Sequence, residues 1–388
     1  MKIALVSPYD FYWPGGVTAH ISHLANKFRF LGHDVKILAP ANDQNENKEN
    51  FDLIRLGRPV PVPSGASIAR VSLSFWLIPK LKKILNENKF DVVHVHEPLA
   101  PLIPISTLMY SQTLTIGTFH AFHDTNWRYI GSNLLLKKPF SKLDGLIAVS
   151  ESAKKQVEKF FPGKYKIIAN GIDKERFSKA QPFEKFNDNK INILFVGRLE
   201  KRKGLKYLLQ AFADLRWIFP NKLRLIVVGP GKIDSLCHQI LSERDMRKDV
   251  IFVGTVKEED LPRYYKSSHI YCSPAIGKES FGIVLLEAMA AGLPIVASNI
   301  EGYSNVVTHG QEGLLFPTKD IKSLTDALIL LIRNPLLRDT LSERGNIMVE
   351  RYEWDVISKK VLNFYEEKSI EKGKLNVKRI FTCIFENS

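Results

Sequence analysis

KESFGIVLLEAMAAGLPIVAS (residues 278–298) sets two glutamates, Glu279 and Glu287, around an otherwise apolar helical run that ends at Gly292. A helix begun near Ser280 would place these carboxylates about 80° apart around the axis and roughly 12 Å apart along it. They cannot then act on one atom. The gap exceeds the ~5 Å of a retaining glycosidase pair and suits two grips on one extended ligand, such as a nucleotide-sugar. Glu287 lies among Val284, Leu285, Leu286, Ala288, Met289 and Ala290, where an uncompensated carboxylate costs several kcal/mol. A ribose diol would supply it with donors. The amides of Phe281, Gly282 and Ile283, following Ser280, make an anion site at the helix start, and Gly282 permits close backbone approach. On the residues alone, a first-turn acid at Glu279 and a core ion pair at Glu287 fit equally well.

Outward from this segment, INILFV (191–196), LRLIVVG (223–229), VIFVG (250–254), HIYCSP (269–274) and PIVAS (294–298) alternate with helical spans. That alternation predicts a doubly wound α/β unit. The polar run FEKFNDNK (183–190) precedes it, so a domain is expected over 184–354. A second series occupies 1–183: KIALV (2–6), a helical span over 17–31 closed by Gly32, HDVKILAP (33–40), VVHVH (92–96), LTIGTFH (114–120) and GLIAVS (145–150). Its βαβ beginning predicts another parallel sheet. Residues 355–388 form a terminal helix and tail. The expected architecture is two Rossmann-like doubly wound domains facing a cleft, and residues 42–50 read as a polar loop.

The length of 388 residues also favours two domains over one core. With 45% hydrophobic and 25% charged residues the chain reads as globular. No apolar run approaches ~20 residues and the N-terminus lacks a signal-peptide pattern, so neither export nor membrane integration is expected. Cys237, Cys272 and Cys383 are widely spaced, which fits a reducing cytoplasm. A formal net charge of +14 implies attraction to polyanions: nucleic acid, anionic lipid or a phosphate-rich small molecule. Neither a zinc finger nor an RRM-like aromatic signature is present, so nucleic acid is not an expected partner.

Several residues sit where open α/β sheets bind ligands. Pro14, Gly15 and Gly16 follow the first strand, where small residues admit a phosphate or simply make a turn. Arg198 and Lys203 follow INILFVG, aimed at a leaving diphosphate or merely part of a basic turn with Lys201, Arg202 and Lys206. His120 ends LTIGTF. His94, His96 and Glu97 invite a metal reading, yet on a strand the two histidines share a face that Glu97 leaves. With no distant ligand identifiable, no metal site is assigned. The chain also lacks an Asp-x-Asp, so cationic side chains and helix amides would replace a bridging divalent ion. In SLSFWLIPKLKKIL (72–85), Leu77, Ile78, Leu81, Ile84 and Leu85 form one helical stripe, with Lys80, Lys82 and Lys83 mostly off it.

Residues 279–292 resemble the Glu-x7-Glu motif of retaining GT-B glycosyltransferases of family GT4. PYDFYWPGGVTAH (8–20), HVHEP (94–98), TFHAF (118–122), NGID (170–173) and GRLEKRKG (197–204) match the same family in order. The wording is most like the phosphatidylinositol mannosyltransferases. The resemblance implies that Glu279 sits beside the transferred sugar, Glu287 holds the donor ribose and His120 meets the sugar. It further implies that Arg198 and Lys203 stabilise the departing diphosphate, while Gly16 contacts the donor. Tyr9, Asp10 and Gly15 become candidate acceptor contacts, and Lys80, Lys82 and Lys83 a basic face on an anionic membrane, against a merely solvated one. The segment around 356–367 would cross back to the first domain. The implied reaction moves a hexose with retention, mannose from GDP-mannose, onto a lipid such as phosphatidylinositol at the cytoplasmic leaflet. The departing phosphate would take the acceptor's proton, and no bound cofactor is expected. Alternatives are a UDP-sugar donor such as UDP-glucose with a glycerolipid or soluble acceptor, a sugar-nucleotide epimerase, or a catalytically inactive relative. The tail, 373–388, reads as frayed or membrane-touching.

Overall fold

A computed structural model describes residues 1–13, 15–42, 52–64, 67–120, 135–277 and 279–373. Pro14, Lys278, nearly all of the polar 42–50 stretch, residues 121–122 and the tail from 374 lie outside them. The contacts divide the chain into two units, residues 1–169 with 354–388, and residues 170–353.

The first unit holds a seven-stranded sheet: β1 (Lys2–Val6), β2 (Asp34–Ala39), β3 (Leu53–Arg55), β6 (Val92–His96), β7 (Leu114–Phe119), β8 (Gly145–Ala148) and β9 (Tyr165–Ile167). Its order is β3-β2-β1-β6-β7-β8-β9, and every pairing is parallel. A separate antiparallel hairpin joins β4 (Val60–Ser64) to β5 (Ser67–Val71). Strands β6, β7 and β8 are buried throughout, as expected where helices cover both faces of a parallel sheet.

The helix Gly16–Phe30 turns Ile21, Leu24, Ala25 and Phe28 inward. There they meet Ile3, Leu5, Val35 and Ile37 of the sheet. The helix Trp354–Glu371 adds Trp354, Ile357, Val361, Phe364 and Tyr365 to that same core.

The second unit holds β10 (Ile191–Val196), β11 (Leu223–Val228), β12 (Val250–Gly254), β13 (Ile270–Ser273), β14 (Ile295–Ser298) and β15 (Gly313–Phe316). Their order is β12-β11-β10-β13-β14-β15, again wholly parallel. The helices Leu205–Ile218 and Ile321–Arg333 pack Leu208, Phe212, Leu324 and Leu328 against Ile193, Phe195 and Leu225.

Sequence order reverses beside β1, between β2 and β6, and beside β10, between β11 and β13. Such switch points open a crevice beyond the strands' carboxyl ends, which is where ligands of this architecture bind.

The boundary falls at Ala169/Asn170 and not at the expected 183/184. Side-chain anchoring explains the shift. Phe177 is buried and meets Tyr265 edge-on at 5.5 Å. Phe183 and Phe186 lie against Tyr264. Asn192 Nδ2 donates to the carbonyls of Phe186 and Ser267 at 3.1 and 2.7 Å. The polar run at 183–190 is thus a strap on the second unit, with Asp188 paired to Arg224 and Lys190 facing Asp249 at 3.7 Å.

Candidate functional site

In the second unit the loops after β10 and β13 meet at the switch point. The amide of Ile276 donates to the Arg202 carbonyl at 2.9 Å. Gly204 has φ +73, and a Cβ there would lie 1.9 Å from the Pro274 carbonyl oxygen. No other residue type fits so close an approach. The stitching delivers Arg202 and Lys203 to Glu279. Its Oε1 accepts from Arg202 Nη1 at 2.5 Å and stands 2.8 Å from Lys203 Nζ. Glu200 holds the other side, 2.7 Å from Arg202 Nε and 3.0 Å from Arg198 Nη1. Three cations thus face two carboxylates and leave one positive charge in excess, the sign a diphosphate requires. Arg198, 46% exposed at its side chain, is the outermost of the three.

Two expectations change here. Arg202, read as part of a solvated basic turn, bridges Glu200 and Glu279 with its side chain only 19% exposed. The helix expected to start near Ser280 is Ile283–Ala290, preceded by Gly282 in the left-handed region at φ 83. Glu279 therefore lies in the loop before the helix, and the 80° and 12 Å separation does not apply. The cause is local. The ring of Tyr303 would stand 2.7 Å from a Cβ at residue 282, so the chain turns sharply over Tyr303 before the helix begins. Phe281 is buried and meets Tyr352 edge-on at 5.8 Å, while Ser280 stays partly exposed beside Glu279.

Glu287 lies one turn into that helix. Its Oε2 accepts from the Tyr265 hydroxyl at 2.7 Å, and among the described residues no ion pair reaches it. The core-salt-bridge alternative has no partner there. Desolvation raises the Glu287 pKa above the usual carboxylate range, partly offset by the Tyr265 hydrogen bond and by Arg176 and Lys203. Tyr265 is fully buried. Nothing in the local pattern of LPRYYK (261–266) marked it, because the pairing is made only by tertiary packing.

In the first unit, Gly15 and Gly16 open the first long helix without any side-chain cap, and a Cβ at Gly16 would meet nothing within 4 Å. Tyr9 bridges Val71 of the hairpin. Asp10 is buried with Oδ1 lacking a hydrogen-bond partner. Burial raises its pKa, against lowering by the Tyr12 backbone hydrogen bond and by Arg70.

His120, just past β7, is 7% exposed and its amide donates to Glu97 Oε1 at 2.7 Å. Its Nε2 lies 2.9 Å from His96 Nδ1, and its ring meets that of His20 at 4.7 Å. His94 stacks beside His96 at 4.3 Å, as residues two apart on a strand must. Burial lowers the His94 pKa to about 3 and that of His96 well below its usual value, with repulsion from neighbouring histidines adding to it. His20 and His96 were missed as partners of His120. They converge only when the helix after β1 packs across the ends of β6 and β7.

Lys80, Lys82 and Lys83 lie on the exposed side of the helix Leu77–Asn88, whose Leu81 is buried. Lys80 donates to the Arg55 carbonyl at 3.0 Å and Lys83 faces Glu87 at 3.7 Å. Just before the helix, Phe75 is 74% and Trp76 91% exposed, two aromatics the stripe analysis passed over. Among the described residues no helix is long and apolar enough to cross a membrane.

Two parallel sheets reversing at β1 and β10, the second with a cationic cluster at its switch point, define the class: a GT-B glycosyltransferase, a class that uses nucleotide-sugar donors. The profile described as Glycosyltransferase Family 4 matches residues 14–176, and that described as Glycosyl transferases group 1 matches residues 177–348. Phosphatidyl-myo-inositol mannosyltransferase of Mycobacterium leprae is 33% identical over 97% of this chain and 100% of its own. Among solved structures, sucrose-phosphate synthase from Thermosynechococcus elongatus superposes with TM-score 0.75 at 21% identity, covering 94% of this chain and 98% of that one. HepE of Anabaena, in complex with UDP and glucose, gives 0.75 at 18%, covering 95% and 100%. The chain belongs to the GT4 family of GT-B glycosyltransferases.

Proposed function

We propose that this enzyme transfers a hexose, mannose from GDP-mannose, with retention of configuration to a membrane lipid acceptor such as phosphatidylinositol. The carrying observation is the Arg202–Glu279–Lys203 cluster at the β10 switch point, a polar site with one surplus positive charge. The diphosphate gains charge as the sugar's anomeric C–O bond breaks, so Arg198 and Lys203 favour the transition state over the ground state. Glu279 stands beside the sugar. Glu287, held by Tyr265, accepts from the ribose hydroxyls, and the amides of Phe281, Gly282 and Ile283 face the phosphates with Gly16. The acceptor hydroxyl oxygen forms the new bond to the anomeric carbon, its proton passes to the departing phosphate, and GDP leaves.

Asp10, Tyr9 and Gly15 meet the acceptor, and the under-satisfied Asp10 carboxylate suits a polyhydroxyl headgroup. His120 hydrogen-bonds the transferred sugar. Exposed Phe75 and Trp76 beside Lys80, Lys82 and Lys83 match a peripheral contact with an anionic cytoplasmic leaflet, combining interfacial aromatics with basic side chains. The choice of mannose and inositol lipid is supported by the mycobacterial relative's name and full-length similarity.

The test is a transfer assay pairing GDP-mannose, UDP-glucose and UDP-GlcNAc with vesicles of phosphatidylinositol or diacylglycerol, the product's anomeric configuration read by NMR. An α-mannosyl inositol lipid made only from GDP-mannose is expected. Glucosyl transfer to diacylglycerol alone would select the UDP-sugar alternative. Isomerised nucleotide-sugar made without acceptor would select the epimerase.

A further inference from the structure

His20, His96 and His120 come from three different elements: the helix after β1, the end of β6 and the residue following β7. Each offers one ring nitrogen in a set whose members all lie within 4.8 Å of one another. All three rings are buried, His96 completely. We propose that these three imidazoles form a binding site for one divalent transition-metal ion of the zinc class, at the carboxyl edge of the first sheet.

The donor set fits that ion. Zinc binds imidazole nitrogen at about 2.0–2.1 Å, which puts tetrahedral ligand nitrogens roughly 3.3 Å apart. The 2.9 Å His96 Nδ1–His120 Nε2 separation already approaches this, so metal entry demands movement of an ångström or so in side-chain rings. Three nitrogen ligands leave a fourth position open, as in catalytic zinc sites. Imidazole selects zinc, cobalt, nickel or copper over magnesium and calcium, which prefer oxygen.

A neutral imidazole carries one N–H and one lone pair. The hydrogen bond between His96 and His120 occupies one ring nitrogen of each. His96 Nε2 is left buried with no partner, an imperfection that the protein interior ordinarily avoids. Ligation offers these rings an alternative to sharing one proton.

The surrounding shell is set to hold the rings in place. His94 Nε2 bonds Thr118 Oγ1 and its Nδ1 bonds the Tyr365 hydroxyl, both at 2.6 Å, while its ring stacks on His96. Trp354 meets His20 edge-on at 5.1 Å. Glu97, buried, accepts the His120 amide and places a carboxylate close behind the ligands, the position from which outer-shell groups offset a cation's charge.

The effect on catalysis rests on the proposed role of His120. Ligation commits one His120 nitrogen and fixes the ring, so zinc should change the rate of transfer, whereas metal binding itself is independent of which donor is used.

The full chain, stripped with EDTA and dialysed, is titrated with zinc chloride in a calorimeter and with cobalt chloride in a spectrophotometer. Expected are one ion per chain, a cobalt ligand-field band, and a zinc-induced rise in melting temperature. His20→Gln and His96→Gln should each weaken zinc binding about 100-fold, with His238→Gln, on an exposed helix, unchanged. The proposal is overturned by absence of the band and of the thermal shift in wild type. Binding lost with His238 and retained in both cluster variants overturns it equally. Should a cluster variant unfold, the wild-type cobalt band still decides.

Discussion

At the switch point beside β10, five charged side chains pair at 2.5–3.0 Å. At the equivalent switch point beside β1, burial holds His94 and His96 neutral and leaves Asp10 under-satisfied. The two sheets run the same way, so the topology does not make this difference; loop composition does. A basic loop on a tight left-handed glycine concentrates positive charge at the second unit's edge. The first unit instead gathers buried imidazoles and one buried carboxylate, with less net charge at its edge. One scaffold thus presents a charged edge and an edge of buried neutral polar groups.

The largest effect that can break this contrast is at Glu279. Glu279→Gln takes from Arg202 and Lys203 their shared negative charge and removes the carboxylate from the proposed sugar site. Transfer should fall about 10²–10³-fold in kcat, with the fold preserved, since Glu200 still pairs Arg202 and Arg198. Wild-type turnover by this variant would reduce the cluster to a structural ion-pair network. Arg202→Ala sharpens the point. It should weaken transfer although no sequence motif singled it out, and unchanged kinetics would return it to the surface.

Glu287 comes next. Glu287→Ala removes the proposed ribose acceptor and leaves the buried Tyr265 hydroxyl only its 3.4 Å bond to the Val284 carbonyl, so nucleotide affinity should drop about 10–100-fold. Tyr265→Phe should cost less, because the carboxylate remains. Calorimetry with GDP decides it, and equal affinity for wild type and Glu287→Ala would refute the ribose role.

These residues also mark how far the sequence could be read. The strand series of both units and their parallel, doubly wound character were legible, because apolar periodicity is a local property. Arg202, Tyr265 and His20 were not, nor was His96 as the partner of His120. Arg202 and Lys203 are neighbours in one basic run, and only the turn ending at Gly204 aims both at Glu279. The helix start was misplaced by three residues because the Tyr303 ring, not any residue beside Gly282, decides where the chain bends. Phe75 and Trp76 were hidden by a stripe count that began at Leu77.

Membrane attachment is the third test, smaller because its parts are exposed. Each lysine near an anionic surface contributes about 1 kcal/mol, roughly a fivefold change in partitioning. Neutralising Lys80, Lys82 and Lys83 to Gln should reduce flotation with phosphatidylinositol-containing vesicles, most at low salt. Phe75→Ser with Trp76→Ser should reduce it at any salt. Flotation unaffected by both sets would make this helix a solvated basic face.

The smallest effect concerns stability at Asp10. Its pKa is raised by burial from 3.8, so the folded state holds the proton more tightly than the unfolded chain. Linkage then makes ionisation of Asp10 a cost to the fold, growing as pH climbs from 3.8 through the raised value and fully present at neutral pH. Asp10→Asn removes the buried charge and should raise the melting temperature by a few degrees at pH 7.5, with the gain fading toward pH 4. The same variant should weaken acceptor use, since an amide cannot accept from a headgroup as a carboxylate does. Stabilisation with acceptor KM unchanged would mean that the dry edge of the first unit tolerates Asp10 for folding reasons alone, and the contrast between the two edges would then rest on the histidines.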